Sequence, residues 1–355
     1  MSASTRHGPP ALDPGVPDPV AADPVAADRT RAAATMLALA AGLGVAAVWS
    51  LAAGAETATP LRAAWNSLFG LDGPRDDFGV LELRLPRTLL ALLAGSALAL
   101  SGAIIQALLR NALASPKIIG VNSGAALAVC LAVAFGLPAQ LTPLLAIAGG
   151  LGAATFVYLG TLWKQASPAR LALVGIAVGS VCDAGVDALL VTAPDYRFSR
   201  PLIWMTGSLH GRTWSDVQAT APLLIPLAIV ALALSFRLDL LRLGDRHALG
   251  LGVEVSWERP LLLLLATALA SVAIAAVGTL GFVGLMAPHM ARQLVGGGHR
   301  ALMPVAMLTG MLLVVLADAA GRAMPLEVSA GILTALFGAP FFIWILLRTP
   351  AGGES

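Results

Sequence analysis

The chain has 355 residues, of which 57% are hydrophobic and only 12% are charged. A typical soluble domain carries about 25% charged residues. The deficit leaves too little polar surface for a water-soluble particle, so the composition predicts an α-helical membrane protein with several spans. The formal net charge of +2 gives no indication of nucleic-acid binding.

The chain divides into a polar tail and an apolar remainder. Residues 1–32 repeat Pro, Ala, Val and Asp, and a disordered cytoplasmic tail is expected because this composition cannot bury a core. Residues 33–350 form the predicted transmembrane domain, in which a span needs about 20 apolar residues. The third, eighth and tenth spans contain helix breakers and are expected to be short, tilted or broken. The ten predicted spans are 34–54, 87–109, 116–136, 141–163, 169–192, 216–236, 259–278, 282–296, 301–322 and 329–348.

The distribution of positive charge predicts the orientation. With the N-terminus in the cytoplasm, 14 of the 22 Lys and Arg residues fall in the tail or in inner loops, in agreement with the positive-inside rule. Both termini are then cytoplasmic. More arginines remain outside than the rule leads one to expect, so some of them are candidates for a specific role. The outer eight are Arg62, Arg75, Arg84, Arg87, Arg197, Arg200, Arg212 and Arg322.

Several catalytic patterns are missing from the sequence. The only lysines are Lys117 and Lys164, and neither lies in a G-x-x-x-x-G-K-[ST] phosphate loop. H-E-x-x-H and G-x-S-x-G are also absent. The five histidines are scattered, and no metal site, cofactor or catalytic residue is predicted. We therefore expect a transport protein that is not itself an enzyme.

Three segments combine charges, prolines and glycines in a distinctive order. The first runs from Arg84-Leu-Pro-Arg87 through Gln106 to Arg110-Asn-Ala-Leu-Ala-Ser-Pro116. The second is Leu243-Gly-Asp-Arg-His-Ala-Leu-Gly-Leu-Gly252. The third begins with Gly281-Phe-Val-Gly-Leu-Met-Ala-Pro-His289, passes Asp318, Arg322 and Glu327, and ends in Gly338-Ala-Pro-Phe-Phe342.

Together these segments closely resemble the permease subunits of the vitamin B12 and iron–siderophore ABC importers, the FecCD type. The resemblance covers about residues 80–348 in the same order, with Ala112 in place of the usual Pro and Asp245 where Glu is common. It implies a type II importer permease with about ten transmembrane helices in the bacterial inner membrane. The implied partners are a second permease subunit, two cytosolic ATPase subunits that hydrolyse ATP, and an extracytoplasmic substrate-binding protein.

The resemblance also implies roles for individual residues. Arg84, Arg87 and Arg322 map onto positions that pair with glutamates of the binding protein, a role that suits the planar guanidinium. Contact with lipid headgroups is the alternative for them, and the expectation for the other outer arginines. The loop at about 237–256 matches the coupling helix that seats in the ATPase. Its implied contact residues are Leu243, Gly244, Asp245, Ala248, Leu251 and Gly252.

Candidates for the translocation pathway come from polar or irregular positions inside spans. Asp183 and Asp187 are four residues apart in the fifth span, hence on one helical face, and ionisable residues in spans are functional candidates. They could equally bond a neighbouring helix. The remaining candidates could serve packing or, for the tryptophan, interfacial anchoring. They are Gln106, Trp204, Gly281, Gly284 and Pro288.

The favoured hypothesis is therefore the permease of an ABC importer for a bulky metal chelate, with an iron–siderophore complex as the first choice. Haem and cobalamin are alternatives within the same class. A proton-coupled secondary transporter, with Asp183 and Asp187 as relay groups, is a hypothesis from another class. The sequence leaves open which chelate is carried, whether the permease pairs with itself, and the envelope type.

Overall fold

The computed structural model describes residues 24–53, 59–162, 168–192, 195–242 and 244–348, and every regular element in these ranges is helical. A π-helical segment, Phe78–Arg84, leads directly into the third α-helix, and short 3-10 turns lie at Pro116–Ile119 and Ala139–Leu141. The α-helices are α1 Pro24–Ala52, α2 Leu61–Phe69, α3 Leu85–Leu108, α4 Val121–Ala134, α5 Thr142–Leu162, α6 Pro168–Thr192, α7 Asp195–Met205, α8 Trp214–Ala233, α9 Ser235–Arg242, α10 Asp245–Gly250, α11 Val255–Val277, α12 Val283–Val295, α13 His299–Ala323 and α14 Ala330–Arg348.

Ten of these helices coincide with the ten predicted spans, and the predicted all-helical membrane fold is confirmed. Seven apolar helical segments, those of α1, α3, α5, α6, α8, α11 and α13, are long enough to cross a membrane. The other three are α4, α12 and α14, the spans in which the sequence contains breakers. α4 and α12 have only 14 and 13 residues, and the apolar part of α14 ends at Ile345.

The start of α1 differs from the prediction. The helix begins at Pro24, inside the stretch 1–32 that was expected to be disordered. Proline is favoured in the first turn of a helix, and the alanines that follow are strong helix formers. Composition alone therefore placed the end of the tail too late. Residues 1–23 lie outside the described residues, and their disorder stays a prediction.

Small residues allow the central helices to approach closely. α3, α11 and α13 form the centre of the subunit, where a Cβ added to Gly95 of α3 would lie 2.4 Å from the carbonyl oxygen of Gly310 in α13. α4 and α5 cross in the same way, with a Cβ on Gly124 lying 2.5 Å from the oxygen of Gly149. Contacts of this kind between small residues are typical of helices packed in lipid.

The helices at the periphery of the subunit have apolar faces that no other helix of the subunit covers. Only 11% of the apolar window of α1 is buried, against 83% for the segment that contains α3. α6 and α8 are also mostly exposed, since only 17% and 22% of their apolar windows are buried. These faces are available to lipid or to another membrane subunit.

Candidate functional sites at the outer end, the pathway and the coupling loop

A buried ion-pair cluster lies at the ends of α3 and α13 that the predicted topology places outside. The guanidinium of Arg87 donates from Nη2 to Oδ1 of Asp318 at 2.7 Å and from Nε to both carboxylate oxygens at 2.9 and 3.0 Å. Its Nη1 pairs with Oε1 of Glu327 at 2.7 Å. Arg322 donates from Nε to Oδ2 of Asp318 at 3.1 Å. The side chain of Asp318 is 0% exposed, so one buried carboxylate holds two arginines.

Hydrogen bonds tie this cluster to the end of α1. Arg322 donates to Oγ of Ser50 at 2.6 Å, and Ser50 contacts the hydroxyl of Thr88 at 2.9 Å. Arg84 donates from Nη1 to the carbonyl of Leu51 and to the hydroxyl of Thr59, both at 2.8 Å. α1, α3 and α13 are therefore joined at their outer ends by polar contacts inside a largely apolar subunit.

The three arginines with a predicted docking role are thus brought together, but all three are buried. Their guanidinium groups have partners within the chain, which argues against contact with lipid headgroups as their main role. Asp318 bonds Arg87 of α3 and Arg322 of α13 and so joins the two helices. Removing one member of a buried ion pair typically costs about 3–5 kcal/mol, because it leaves the other charge uncompensated.

The cluster reaches the surface at Glu327, whose side chain is partly exposed. The second oxygen of Glu327 lies 2.8 Å from Nδ1 of His210, an exposed residue that sequence reasoning did not select. Partial burial raises the pKa of Glu327, but the charge and hydrogen bond of Arg87, together with His210, outweigh burial. The net pKa of Glu327 therefore lies below its ordinary value.

Short α7 ends beside the start of α14. Gly207, which follows α7, accepts a hydrogen bond at 2.9 Å from the backbone of Gly331 in α14, and Thr206 contacts Ser329 at 3.0 Å. Trp204 lies on the wall of a cavity of about 750 Å³, which Ser208, His210, Arg212 and Asp216 also line. The pathway candidate Trp204 is therefore at the edge of a cavity with a partly polar wall, on the side that the predicted topology places outside.

Asp183 and Asp187 lie on an uncovered face of α6. Both are exposed within the subunit, as are Leu173 and Ile176 nearby, whereas Val186 is buried against α4 and α7. At 100° per residue, positions 176, 183 and 187 share one face and Val186 points elsewhere. The two carboxylates therefore project away from the subunit core.

Two other pathway candidates, Gln106 and Gly284, belong to the contact between α3 and α12. A Cβ on Gly102 would lie 1.8 Å from the carbonyl oxygen of Gly284. Gln106 is buried and donates to the carbonyl of Leu285 at 3.2 Å. Pro288 is buried in α12, and Gly281 lies half-buried just before Phe282, whose backbone is left-handed at φ 63°. The geometry of Gln106, Gly284 and Pro288 is that of helix packing.

On the cytoplasmic side of the predicted topology, α10 occupies the predicted coupling loop. Gly244 and Gly252 flank the helix with φ of 97° and 80°, a left-handed conformation that favours glycine. Ala248 was predicted to contact the ATPase, but it is fully buried in the subunit and has no surface with which to do so. Leu251, another of the predicted contact residues, is exposed, and so is Leu249, which was not among them. Leu243 lies outside the described residues. Asp245 is the first residue of α10.

The coupling loop is fastened to the membrane helices at its base. Oδ1 of Asp239 in α9 accepts from the backbone N–H of His299 at 2.7 Å and lies 2.8 Å from Nδ1 of the same histidine. Arg242 donates to the carbonyl of Gly297, and Arg237 pairs with Glu258 of α11 at 2.5 Å. These contacts connect the loop to the first residues of α11 and α13.

Within the described part of the chain, no group of three or more His, Cys, Asp or Glu side chains is arranged to hold a metal ion. Cys130 is buried and Cys182 half-buried, and both are free thiols.

The model of the FecCD transport family matches residues 42–348 of the chain. The chain belongs to the FecCD transport family. This confirms the resemblance on which the assignment of the sequence motifs rests. The matched range contains the outer arginine cluster, the α3–α12 contact and the coupling loop.

Individual relatives are similar over most of the chain. The Fe(3+) dicitrate transport system permease protein FecD of Escherichia coli strain K12 is 46% identical over 273 residues, which cover 76% of this chain and 85% of that protein. The hemin transport system permease protein HmuU of Yersinia pestis is 40% identical over 278 residues, covering 76% and 83%. A solved structure described as an inward-facing conformation of a metal-chelate type ABC transporter superposes with a TM-score of 0.79 at 31% identity, covering 89% of this chain and 99% of that one.

The lowered pKa of Glu327 predicts a pH dependence of stability. A carboxylate whose folded pKa is depressed stabilises the fold above its unfolded value of 4.5, and this contribution is lost as the pH falls through the folded pKa. Because Glu327 is partly exposed and screened, the contribution is about 0.5–1 kcal/mol. Glu327→Gln should therefore unfold at a lower temperature than the unsubstituted protein at neutral pH, and the difference should shrink below pH 4.5.

The measurement is thermal unfolding in detergent across this pH range. Glu254→Gln is the control, since Glu254 is exposed at the start of α11. A difference between Glu327→Gln and the unsubstituted protein that widens on acidification would contradict the assignment.

Proposed function

We propose that the chain is the permease subunit of an ATP-driven importer that moves a metal chelate from an extracytoplasmic binding protein into the cytoplasm. Membership of the FecCD transport family carries this proposal. Iron–siderophore complexes are the favoured cargo, since a ferric dicitrate permease is among the relatives. Haem is an alternative with a relative of its own, and cobalamin is a further alternative.

The proposed machine contains two permease subunits, two cytosolic ATPase subunits and the binding protein. The sequence carries no phosphate loop, so ATP hydrolysis is assigned to the ATPase subunits. The membrane is the bacterial inner membrane, with both termini in the cytoplasm. α10 is the proposed contact with the ATPase, since Leu249 in the helix and Leu251 just after it are exposed on a loop fastened to α11 and α13.

The proposed pathway runs along the face of α6 that carries Asp183 and Asp187. A carboxylate in hydrocarbon is costly, and such residues face a bundle interior or a water-filled cavity. Because these two project away from the core of their own subunit, the second permease is the surface that completes the passage. A proton-coupled secondary transporter would use the same carboxylates as relay groups, but it would need no coupling loop.

Docking of the binding protein is proposed at the outer arginine cluster. Arg84, Arg87 and Arg322 are buried, so an approaching carboxylate meets the rim of the cluster first. Glu327 is the partly exposed partner of Arg87 there. A glutamate of the binding protein would replace Glu327 as the partner of Arg87 while Asp318 continues to hold the arginine from below.

The coupling proposal is tested by replacing Leu249 and Leu251 together with serine. Burying a leucine in a partner groove contributes about 1.5–3 kcal/mol, and about 1.4 kcal/mol is tenfold in affinity. We expect the double variant to bind the purified ATPase subunit at least about tenfold more weakly in detergent, with ATP-dependent uptake reduced in proteoliposomes.

The matched control is Leu137→Ser, which changes an exposed leucine on the opposite side of the membrane. It should leave the affinity for the ATPase subunit unchanged. Equal affinities for the unsubstituted protein and the Leu249/Leu251 double variant would overturn the assignment of α10.

The pathway proposal is tested with Asp183→Asn combined with Asp187→Asn. Both side chains are exposed within the subunit, so the free energy of unfolding should change by no more than about 0.5 kcal/mol. Relative uptake of chelates of different net charge should change, because two negative charges leave the passage in each subunit. Asp72→Asn, in an outer loop, is the control. A large loss of stability with unchanged selectivity would show that the carboxylates bond a helix instead.

A further inference from the structure

The short helix α2, between α1 and α3, has its polarity reversed relative to a helix that faces water. Its buried face consists of Ala63, Ala64, Asn66 and Ser67. Its outward face carries the large apolar side chains, spaced four residues apart. A helix on a water-exposed surface normally buries its large apolar residues and exposes its polar ones.

The buried polar residues of α2 form hydrogen bonds with the loop that follows the helix. The side-chain amide of Asn66 donates to the carbonyls of Pro74 and Asp72 at 3.2 and 3.4 Å. The hydroxyl of Ser67 accepts from the backbone N–H of Asp76 at 2.8 Å. These bonds fold the following loop back against α2 and fix which face of the helix points outward.

The exposed stripe consists of Leu61, Trp65 and Phe69, which are 56%, 46% and 56% exposed. The rings of Trp65 and Phe69 lie 4.5 Å apart between centroids, so the stripe is a continuous apolar surface. Arg62 is also exposed and lies at the edge of this arc, at 100° from Leu61. Aromatic and aliphatic side chains beside a cation are typical of helices that lie in the membrane interface.

The position of α2 identifies what covers the stripe. Ala64 packs with Leu51 and Ala52 at the outer end of α1 and with Val80 at the start of the α3 segment. α1 is the long apolar helix with the smallest buried share, so its flank faces lipid. Phe78 and Leu83, on the other neighbour of α2, also expose apolar side chains. The stripe is therefore next to the lipid-facing surface at the level where the spans leave the membrane.

We propose that α2 is an interfacial anchor that lies in the outer leaflet of the membrane. Leu61, Trp65 and Phe69 insert among the lipid chains below the headgroups, and Arg62 pairs with lipid phosphate. Thr59, just before α2, bonds both Asp76 and Arg84, at 2.6 and 2.8 Å. The anchor is thereby connected to the outer arginine cluster. It fixes the position of that cluster along the membrane normal.

The test is nitroxide labelling of the full chain in vesicles of phosphatidylethanolamine and phosphatidylglycerol. Single cysteines are introduced as Trp65→Cys and Phe69→Cys in a background of Cys130→Ala and Cys182→Ala. Leu37→Cys, on the exposed flank of α1, is the lipid control, and Asp72→Cys, in the adjoining loop, is the water control. Each label is compared for collisions with oxygen, which concentrates in lipid, and with a water-soluble nickel chelate.

We expect the oxygen-to-nickel collision ratio at positions 65 and 69 to exceed that at 72 by several-fold and to approach that at 37. A ratio at 65 and 69 equal to that at 72 would place the stripe in water and overturn the proposal. Low collision rates with both reagents would also overturn it, because the stripe would then be covered by protein. Variants enter the comparison only if they elute as the same single species as the unsubstituted protein.

Discussion

The outer half of the subunit depends on the ion pairs that the carboxylate of Asp318 makes with two arginines. The carboxylate has no exposed surface and sits between Arg87 of α3 and Arg322 of its own helix. An isolated charge at that depth would be expensive, whereas a carboxylate held by five-donor guanidinium groups is compensated. Because Arg322 also bonds Ser50 of α1, the same carboxylate fixes three helices relative to one another.

α13 carries this constraint across the membrane. The helix has 25 residues and therefore spans about 37 Å at 1.5 Å per residue. Its first residue, His299, is held by Asp239 of α9, which leads into the coupling helix α10. Its last turn holds Arg322 in the outer cluster. One continuous helix thus joins the base of the coupling loop to the proposed docking site, and close packing of Gly310 on Gly95 keeps it against α3.

Sequence reasoning located the spans well because apolar length and helix breakers are local properties. The three spans with breakers are the three shorter helices. The distribution of Lys and Arg is what predicts a cytoplasmic position for the loop that contains α10. Side-chain partners are not local. Arg87 and Asp318 are 231 residues apart, so the sequence showed that outer arginines were unusual but not that they pair within the chain. The same applies to His210 with Glu327 and to Asp239 with His299.

Burial was the other property that the motifs did not reveal. Ala248 lies in the matched coupling motif, yet it fills space inside the subunit while its neighbours Leu249 and Leu251 face outward. In α2 the pattern is reversed, with small and polar residues inside, and only the packing against α1 shows which face is free. The end of the N-terminal tail was placed too late because a single proline, here Pro24, can occupy the first turn of a helix.

The most direct test of this account is a double-mutant cycle on Arg87 and Asp318, followed by chemical unfolding in mixed micelles. Arg87→Gln and Asp318→Asn should each destabilise the protein by up to about 3–5 kcal/mol. Each removes the shortest ion pair of the cluster and leaves a buried charge with only its second partner, Arg322 for Asp318 and Glu327 for Arg87. Combined, they should cost less than the sum, with a coupling free energy of about 2–3 kcal/mol. Losses that simply add would contradict the claim that this ion pair organises the outer end of the subunit.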